Sequence, residues 1–191
     1  RIITIVLHSS QIQGFFDIPL DHLYASPVLI RAIRKLGLSN FAVAAPDVGG
    51  VKTARSYAKK MGGDLVLVDK RRPEHNVAEI MHIIGNVESK NVLIVDDMID
   101  TGTTFVKCAE ALKDKGALDI YGITVHPVLS GSALDKIEAC TAVDKLYVTD
   151  TIPLKRESDK IEIISVAELL AEAIIRTHDN RSISSLFDIE R

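Results

Sequence analysis

Three aspartates, Asp96, Asp97 and Asp100, follow a run of apolar residues in the middle of the chain. The run, residues 92–95, is typical of a strand buried on both faces of a parallel sheet. Gly102 and three hydroxyl side chains come next, those of Thr101, Thr103 and Thr104. In an open α/β sheet, ligands bind beyond the carboxyl ends of the strands, where small residues let backbone N–H groups surround a phosphate. Because carboxylates suit sugar hydroxyls or a metal ion, the motif predicts a site for a sugar that bears a phosphate.

A second turn with two glycines ends another apolar run. Asp47, Val48, Gly49 and Gly50 follow residues 41–45. Glycine allows the backbone to approach an anion closely, but the same residues also fit a plain tight turn. Both interpretations stay open, and a position in the same sheet as the acidic motif favours anion binding.

Two further motifs each have a structural and a functional interpretation. Lys70, Arg71 and Arg72 follow residues 65–68. They are either a solvated charge run or cations that stabilise a transferring phosphoryl group. His8 comes at the end of an apolar run among polar residues, as a structural histidine or as a metal ligand.

Strand-like and helix-like segments alternate along the chain. The apolar pattern predicts strands at residues 2–7, 41–45, 65–68, 92–95, 120–125, 146–148 and 161–164. Helical spacing occurs at residues 51–61, 105–112 and 165–173. This alternation predicts an α/β fold with an open, mostly parallel sheet and helices on both faces.

Composition argues against several classes of protein. The 191 residues carry a net charge of −3, which gives no support for a nucleic-acid partner. Apolar runs are too short for a membrane span. Cys108 and Cys140 have no paired spacing, which is typical of a reduced protein. We therefore expect a cytoplasmic protein with no membrane or nucleic-acid partner.

Six segments together resemble the ribose-phosphate pyrophosphokinase (phosphoribosyl pyrophosphate synthetase) family. They are HSSQIQGFFDIP at 8–19, PDVGGV at 46–51, DKRR at 69–72, VDDMIDTG at 95–102, TVHPVLSG at 124–131 and VTDTIPL at 148–154. The resemblance implies a phosphoribosyltransferase-like fold and transfer of pyrophosphate from ATP to the anomeric hydroxyl of ribose 5-phosphate, with Mg²⁺ as cofactor. It also implies a homo-oligomer built from dimers, which is a hexamer in the family.

The resemblance gives each matching residue a role at the active site. Asp96 and Asp97 would hold the ribose hydroxyls, either directly or through a metal ion. The residues that would wrap the 5-phosphate are Asp100, Thr101, Gly102, Thr103 and Thr104. Those of the pyrophosphate loop would be Asp47, Val48, Gly49 and Gly50. His8 and Asp47 would ligate Mg²⁺, and Lys70 and Arg72 would neutralise charge in the transition state.

A regulatory site and a domain division are also implied. The residues that would form a regulatory phosphate or nucleotide site between subunits are Gln13, Asp21, Ser182, Ser184 and Phe187. Residues 1–25 would be the last portion of an N-terminal phosphoribosyltransferase-like domain otherwise missing from this chain. Residues 26–175 would form the C-terminal domain, and residues 176–191 would pack toward the N-terminal one. The isolated chain would then be inactive.

Two departures from the family pattern bear on function. Val6 stands where the family usually has an aspartate beside the metal-binding histidine, and Thr103 replaces a usual glycine. Val6 keeps open a second hypothesis, a non-catalytic regulatory homologue that binds phosphoribosyl ligands and assembles with active subunits. A stand-alone phosphoribosyltransferase is disfavoured because no hood segment for a nucleobase is apparent.

Overall fold

A computed structural model describes residues 1–71 and 80–187, with the backbone alone at residues 70, 71 and 80. Its strands are β1 (Ile2–Ile5), β2 (Leu20–Leu23), β3 (Phe41–Ala45), β4 (Asp64–Arg71), β5 (Ile80–Ile84), β6 (Asn91–Ile99), β7 (Ile120–Pro127), β8 (Lys145–Thr149) and β9 (Ile161–Ile164). Its helices are α1 (Ser26–Arg34), α2 (Val51–Met61), α3 (Thr103–Asp114), α4 (Ala133–Ala139) and α5 (Ala167–His178). Short 3₁₀ segments lie at Ser10–Phe15 and Ser184–Leu186.

Within the described residues, seven strands form one sheet in the order β5-β4-β3-β6-β7-β8-β9. Each neighbouring pair is parallel except β4 and β5, which are antiparallel. Strands β1 and β2 pair with each other in a separate parallel sheet. The predicted open, mostly parallel sheet is confirmed, although the sequence pattern missed β2 and the antiparallel edge strand β5.

Helices cover both faces of the large sheet. Val92 and Ile94 of β6 pack in one apolar cluster with α3 and α4. Leu93 and Val95 point the other way, into a cluster with α1 and α2. Because side chains alternate along a strand, an unbroken apolar run is what a strand buried on both faces requires. The predicted arrangement of helices is therefore confirmed.

The strand order reverses between β3 and β6, since β4 continues from one side of β3 and β6 lies on the other. In doubly wound sheets, the crevice at such a reversal is where ligands bind. The turn after β3 and the acidic motif of β6 meet there. In the described part of the chain, no helix has the length and apolar character needed to cross a membrane.

Gly122 of β7 packs directly against the Phe105 side chain of helix α3. A Cβ atom at Gly122 would lie 2.6 Å from the buried Phe105 ring and from Leu146. We expect Gly122→Ala to lower the free energy of unfolding by about 1–3 kcal/mol, because extra atoms in a packed core force side chains from their rotamers. Urea unfolding measures this effect. Gly14→Ala is the control, since no atom lies within 4 Å of the added Cβ; equal stability of the two variants would contradict the packing argument.

Candidate active site

A cavity of about 190 Å³ opens at the reversal point, beside the start of α3. Carboxylates, small residues of the predicted phosphate motif and three larger apolar residues line it together. They are Asp47, Asp96, Met98, Ile99, Asp100, Thr101, Gly102, Thr104 and Phe105. A larger cavity of about 420 Å³ lies near β9, lined by Glu138, Glu157 and Asp159 among others. It contains none of the predicted site residues, so the smaller cavity is the candidate site.

Strand β6 continues to Ile99 rather than ending at Val95. Asp96 and Asp97 therefore lie within the strand, and the prediction that they follow its end is wrong. Pairing with β7, which sets Asp96 opposite Thr124, keeps the backbone extended here. Successive side chains of an extended strand point to opposite faces. Asp96 consequently lines the cavity, whereas Asp97 reaches His8.

The surroundings of the Asp96 carboxyl group disfavour its charged form. Burial, and then the neighbouring Asp97 carboxylate, raise the pKa of Asp96 to about 7. One Asp96 oxygen accepts a hydrogen bond of 2.9 Å from the Asp97 N–H. A carboxyl group can donate a hydrogen bond to a sugar hydroxyl when it is protonated and accept one when it is ionised.

The backbone turns sharply at Gly102 before α3 begins. Gly102 has φ of 72° and ψ of −8°, a left-handed conformation that suits glycine. The first N–H groups of a helix have no partner within the helix, and the helix dipole makes this end positive. Thr101 and Thr104 line the cavity, whereas Thr103 lies outside the described lining. Backbone donors and the hydroxyls of these two threonines can therefore serve a phosphate at this turn.

The turn after β3 is held by its own aspartate. The Gly50 N–H donates a hydrogen bond of 2.9 Å to Asp47 Oδ1, and α2 begins at the next residue. Val48 and Gly49 are exposed at the tip. This bond is a common way for aspartate to stabilise a turn. Because Asp47 also lines the cavity, the structural and the functional interpretation of this motif are compatible.

His8 extends over the strand toward the acidic motif. Its Nδ1 lies 2.7 Å from Asp97 Oδ2, and its side chain is 68% exposed. The hydrogen bond to Asp97 is the main cause that raises the pKa of His8, and the charges of Asp97, Asp96 and Asp47 add to it. When Nδ1 donates to the carboxylate, Nε2 carries the lone pair of the neutral ring. The geometry thus orients Nε2 as the nitrogen that could bind a metal.

We expect the Asp97→Asn substitution to lower the pKa of His8 toward the value of about 6.5 for an unperturbed histidine. The raised pKa means that the His8–Asp97 pair contributes stability below the unfolded pKa and loses it as pH rises through the folded pKa. NMR titration of the imidazole measures the shift. Asp100→Asn is the matched control, because the Asp100 carboxylate instead accepts a hydrogen bond from Ser130. An unchanged titration in Asp97→Asn would contradict the assigned cause.

Two histidine side chains hold the peptide between Val6 and Leu7, just before His8. Val6 has φ of 44°, which is unusual for a β-branched residue. The Val6 carbonyl accepts a hydrogen bond of 2.8 Å from His126 Nε2, and the Leu7 N–H donates one of 2.8 Å to His22 Nε2. These contacts fix the direction in which the chain enters His8. Neither role is predicted by the sequence pattern, although His126 lies in one of the segments that carry the family resemblance.

The predicted catalytic cations are described only in part. Lys70 lies near the end of β4, where it is paired with Met81 of β5. The side chain of Lys70 and the whole of Arg72 lie outside the described residues. Because β4 runs parallel to β3, its carboxyl end lies at the same edge of the sheet as Asp47. The catalytic role of Lys70 and Arg72 therefore stays a prediction. The position of the end of β4, at the edge of the sheet that carries Asp47, is compatible with it.

Two of the predicted regulatory residues lie in the segment before α1. Gln13 Nε2 donates to the Ser10 carbonyl at 3.0 Å and lies 3.3 Å from His22 Nδ1. The Asp21 carboxylate pairs with the Arg1 guanidinium. Both side chains thus have partners within the segment itself.

The other three predicted regulatory residues lie after α5. The Ser182 hydroxyl donates to Ser184 Oγ at 3.1 Å. The Phe187 ring meets Tyr24 edge to face, with 6.4 Å between ring centroids. Phe187 also packs in the apolar cluster around Leu23 of β2. The structure therefore brings the segment after α5 against the segment before α1, although a regulatory role for either remains a prediction.

Comparisons with known proteins agree with this geometry. The family model for the phosphoribosyl synthetase-associated domain matches residues 66–188, more than half of the chain. A ribose-phosphate pyrophosphokinase from Wolinella succinogenes is 53% identical, over 98% of this chain and 60% of its own length. One from Ralstonia nicotianae is 52% identical, also over 98% and 60%. The chain thus spans about 60% of the length of these curated relatives.

Solved structures give the same relationship. A phosphoribosylpyrophosphate synthetase from Mycobacterium smegmatis superimposes with a TM-score of 0.85 at 32% identity, covering 93% of this chain and 58% of that protein. An orotate phosphoribosyltransferase from Aeropyrum pernix, 17% identical with a TM-score of 0.50, covers 78% and 75% and shares the fold alone. The chain therefore belongs to the ribose-phosphate pyrophosphokinase family.

Proposed function

We propose that this chain is the ribose 5-phosphate-binding part of a ribose-phosphate pyrophosphokinase. The observation that carries the proposal is one cavity that joins the Asp96 carboxyl group to the turn at Gly102, in a chain of this family. A carboxyl group and a phosphate-binding turn side by side match the two ends of a phosphorylated sugar. Ribose 5-phosphate would place its hydroxyls at Asp96 and its phosphate at the turn.

The sugar would be held by a small number of groups with distinct roles. Asp96 exchanges hydrogen bonds with the ribose hydroxyls, and Asp97 acts mainly through His8. Thr104 and the N–H groups at the start of α3 hold the 5-phosphate, where the helix dipole adds a favourable field. Asp100 and Asp47 also line the cavity, and the Asp47–Gly50 turn would face the pyrophosphate.

Mg²⁺ fits the donor set as a partly hydrated ion. Among the residues that the structure describes, no three His, Cys, Asp or Glu side chains are arranged to enclose a metal. Mg²⁺ commonly takes one or two protein ligands and completes its shell with water and substrate phosphate. His8, through the Nε2 of its neutral ring, and Asp47 would hold it, since the Asp47 carboxylate is near enough for its charge to raise the pKa of His8. When bound, the ion would neutralise charge on the ATP phosphates.

The proposed reaction transfers the pyrophosphoryl group of ATP from an oxygen of AMP to the anomeric oxygen of ribose 5-phosphate. The anomeric oxygen of ribose 5-phosphate attacks the β-phosphorus of ATP and loses its proton. The bond from that phosphorus to the oxygen bridging the α-phosphorus breaks, and AMP leaves. Lys70 and Arg72 would neutralise the charge that develops on the transferring group, as cations do in phosphoryl transfer.

We also propose a division of the chain between two domains and an assembly into oligomers. Residues 26–175 would form one domain, while residues 1–25 and 176–191 would associate with another. In support, β1 and β2 form a sheet apart from the large one, and Phe15 in that segment is 85% exposed. A dimer-based homo-oligomer would bring regulatory residues of neighbouring subunits together.

Cys108 and Cys140 are buried free thiols, and we propose a reduced, cytoplasmic setting, in which such thiols persist.

Isothermal titration of ribose 5-phosphate into the 191-residue chain tests the binding site. We expect saturable binding, weakened roughly tenfold in Thr104→Val, because a hydrogen bond to a charged group is worth about 1.5–3 kcal/mol. Thr141→Val, in the exposed turn before β8, is the matched control. Absence of binding by the wild type, or equal affinity of both variants, would contradict the proposed site.

Val6 favours one alternative, a non-catalytic regulatory homologue. Such a protein would bind ribose 5-phosphate but would not form product in its full-length state. Val6→Asp separates the two, because aspartate tolerates the left-handed conformation at this position better than valine does. A full-length protein that gains activity only with Val6→Asp would support the regulatory homologue.

A further inference from the structure

We propose that Lys136 is a positioning residue for the phosphate turn, which it holds in the orientation that directs an amide N–H into the cavity. Lys136 belongs to none of the motifs that carry the family resemblance. It is an exposed residue of α4. The inference rests on the proposed ribose 5-phosphate site and adds a cation to it.

The segment formed by residues 129–136, here called the buttress, contacts the back of the turn. The Leu129 N–H donates to the Ile99 carbonyl, and the Ser130 N–H donates to the Asp100 carbonyl, each at 3.0 Å. The chain has no cis peptide bonds in its described part. In a trans peptide, the N–H points opposite to the carbonyl. Two successive peptides thus direct their carbonyls to the buttress and their N–H groups away from it.

Lys136 makes the corresponding contact with the third peptide. Its Nζ donates to the Thr101 carbonyl at 3.1 Å. Thr101 and Gly102 line the cavity, whereas Lys136 lies outside that described lining. Like the N–H groups of Leu129 and Ser130, the lysine contacts a carbonyl of the turn from the buttress. The N–H of Gly102, which belongs to this same peptide, therefore points away from the buttress, and Gly102 itself lines the cavity.

The peptide between Thr101 and Gly102 can adopt two opposite orientations, and a side-chain contact is needed to favour one of them. Gly102, at φ of 72° and ψ of −8°, resembles the third residue of a type II turn. A type I turn has the same peptide inverted, with φ near about −90° at that residue, and glycine adopts either conformation readily. Inversion would point the Thr101 carbonyl at the bound phosphate and remove one N–H donor from it. The hydrogen bond from Lys136 opposes that inversion.

A second contact fixes the lysine itself. Lys136 Nζ donates to Thr103 Oγ1 at 3.0 Å, and Thr103 is the residue that replaces the glycine usual in the family. The backbone of α4 lies close as well, since a Cβ atom on Gly102 would be 3.3 Å from the Ala133 carbonyl oxygen. The ammonium group is therefore anchored at two points of the turn, and its charge lies beside the anion site.

The test compares Lys136→Met, which removes the donor and the charge, with Lys136→Arg, which keeps both. Lys59→Met, in the exposed last turn of α2, is the control. Titration calorimetry measures the affinity for ribose 5-phosphate and for inorganic phosphate. In the free chain, the ¹⁵N resonance and relaxation dispersion of the Gly102 amide report inversion of the peptide on the microsecond-to-millisecond timescale.

We expect Lys136→Met to weaken both ligands by about tenfold or more and to shift or broaden the Gly102 resonance, with Lys136→Arg within about threefold of wild type. Wild-type affinity and an unchanged Gly102 resonance in Lys136→Met would overturn the inference. Weakened binding with an unchanged resonance would also overturn it, because charge alone would then be acting. A wild-type chain that binds neither ligand would refute the proposed site, while the Gly102 resonance would still decide the role of Lys136.

Discussion

In the full-length protein, Lys70→Ala should lower kcat by about 10²–10³-fold, the loss typical of removing one group that stabilises transition-state charge. The dissociation constant for ribose 5-phosphate should change little. Lys70 lies where β4 ends, beside the edge of the sheet that carries Asp47, whereas the proposed sugar site lies at β6 and α3. A cation there can act on the transferring phosphates without touching the sugar.

Steady-state kinetics and calorimetry on the same preparation separate the two quantities. Lys60→Ala, at an exposed position of α2, serves as the control, and Lys70→Arg should keep part of the activity because it keeps the charge. Equal losses of turnover and of ribose 5-phosphate affinity in Lys70→Ala would mean that Lys70 serves ground-state binding instead.

The second large effect concerns the chain by itself. The 191-residue chain should bind ribose 5-phosphate yet form phosphoribosyl pyrophosphate at least about 10³-fold more slowly than a full-length protein, because holding two substrates together can lower a barrier by about 7–11 kcal/mol. The chain spans about 60% of the length of its curated relatives, and we propose that much of the ATP-binding surface lies in the remainder.

An ATP-dependent assay on the isolated chain, with its mass verified, measures this rate. The full-length protein is the control under the same conditions. Turnover by the isolated chain within the typical enzyme range of about 1–10³ s⁻¹ would contradict the division of the site between two parts of the protein.

The strands that could be predicted are those with strong local patterns. Residues 41–45 coincide with β3, since an unbroken apolar run has few alternatives in an α/β chain. Residues 161–164 coincide with β9, although Glu162 interrupts their apolar pattern. Strand β5 was missed, because an antiparallel edge strand with exposed positions such as Ile84 lacks the pattern of a buried parallel strand. The extension of β6 was missed for a related reason: pairing with β7, not apolar character, keeps Asp96 extended.

In the candidate site, too, some residues could be predicted from local sequence and others could not. The aspartates, glycine and hydroxyls of the acidic motif are adjacent in sequence, so their chemistry could be inferred together. Lys136 and His126 reach the site only through tertiary contacts, with the Thr101 and Val6 carbonyls respectively. The second contact spans 120 residues of sequence. No spacing rule connects such partners, and the fold alone brings them together.

The most direct test of the proposed function is ³¹P NMR of the full-length protein incubated with ATP, ribose 5-phosphate and Mg²⁺. We predict that AMP and a sugar carrying both a 5-phosphate and an anomeric pyrophosphate appear in equal amounts, and that Thr104→Val raises the ribose 5-phosphate concentration needed. Formation of ADP with a sugar bisphosphate would show single phosphoryl transfer and contradict the proposal. Absence of any product, with ribose 5-phosphate bound, would contradict it in favour of a non-catalytic homologue.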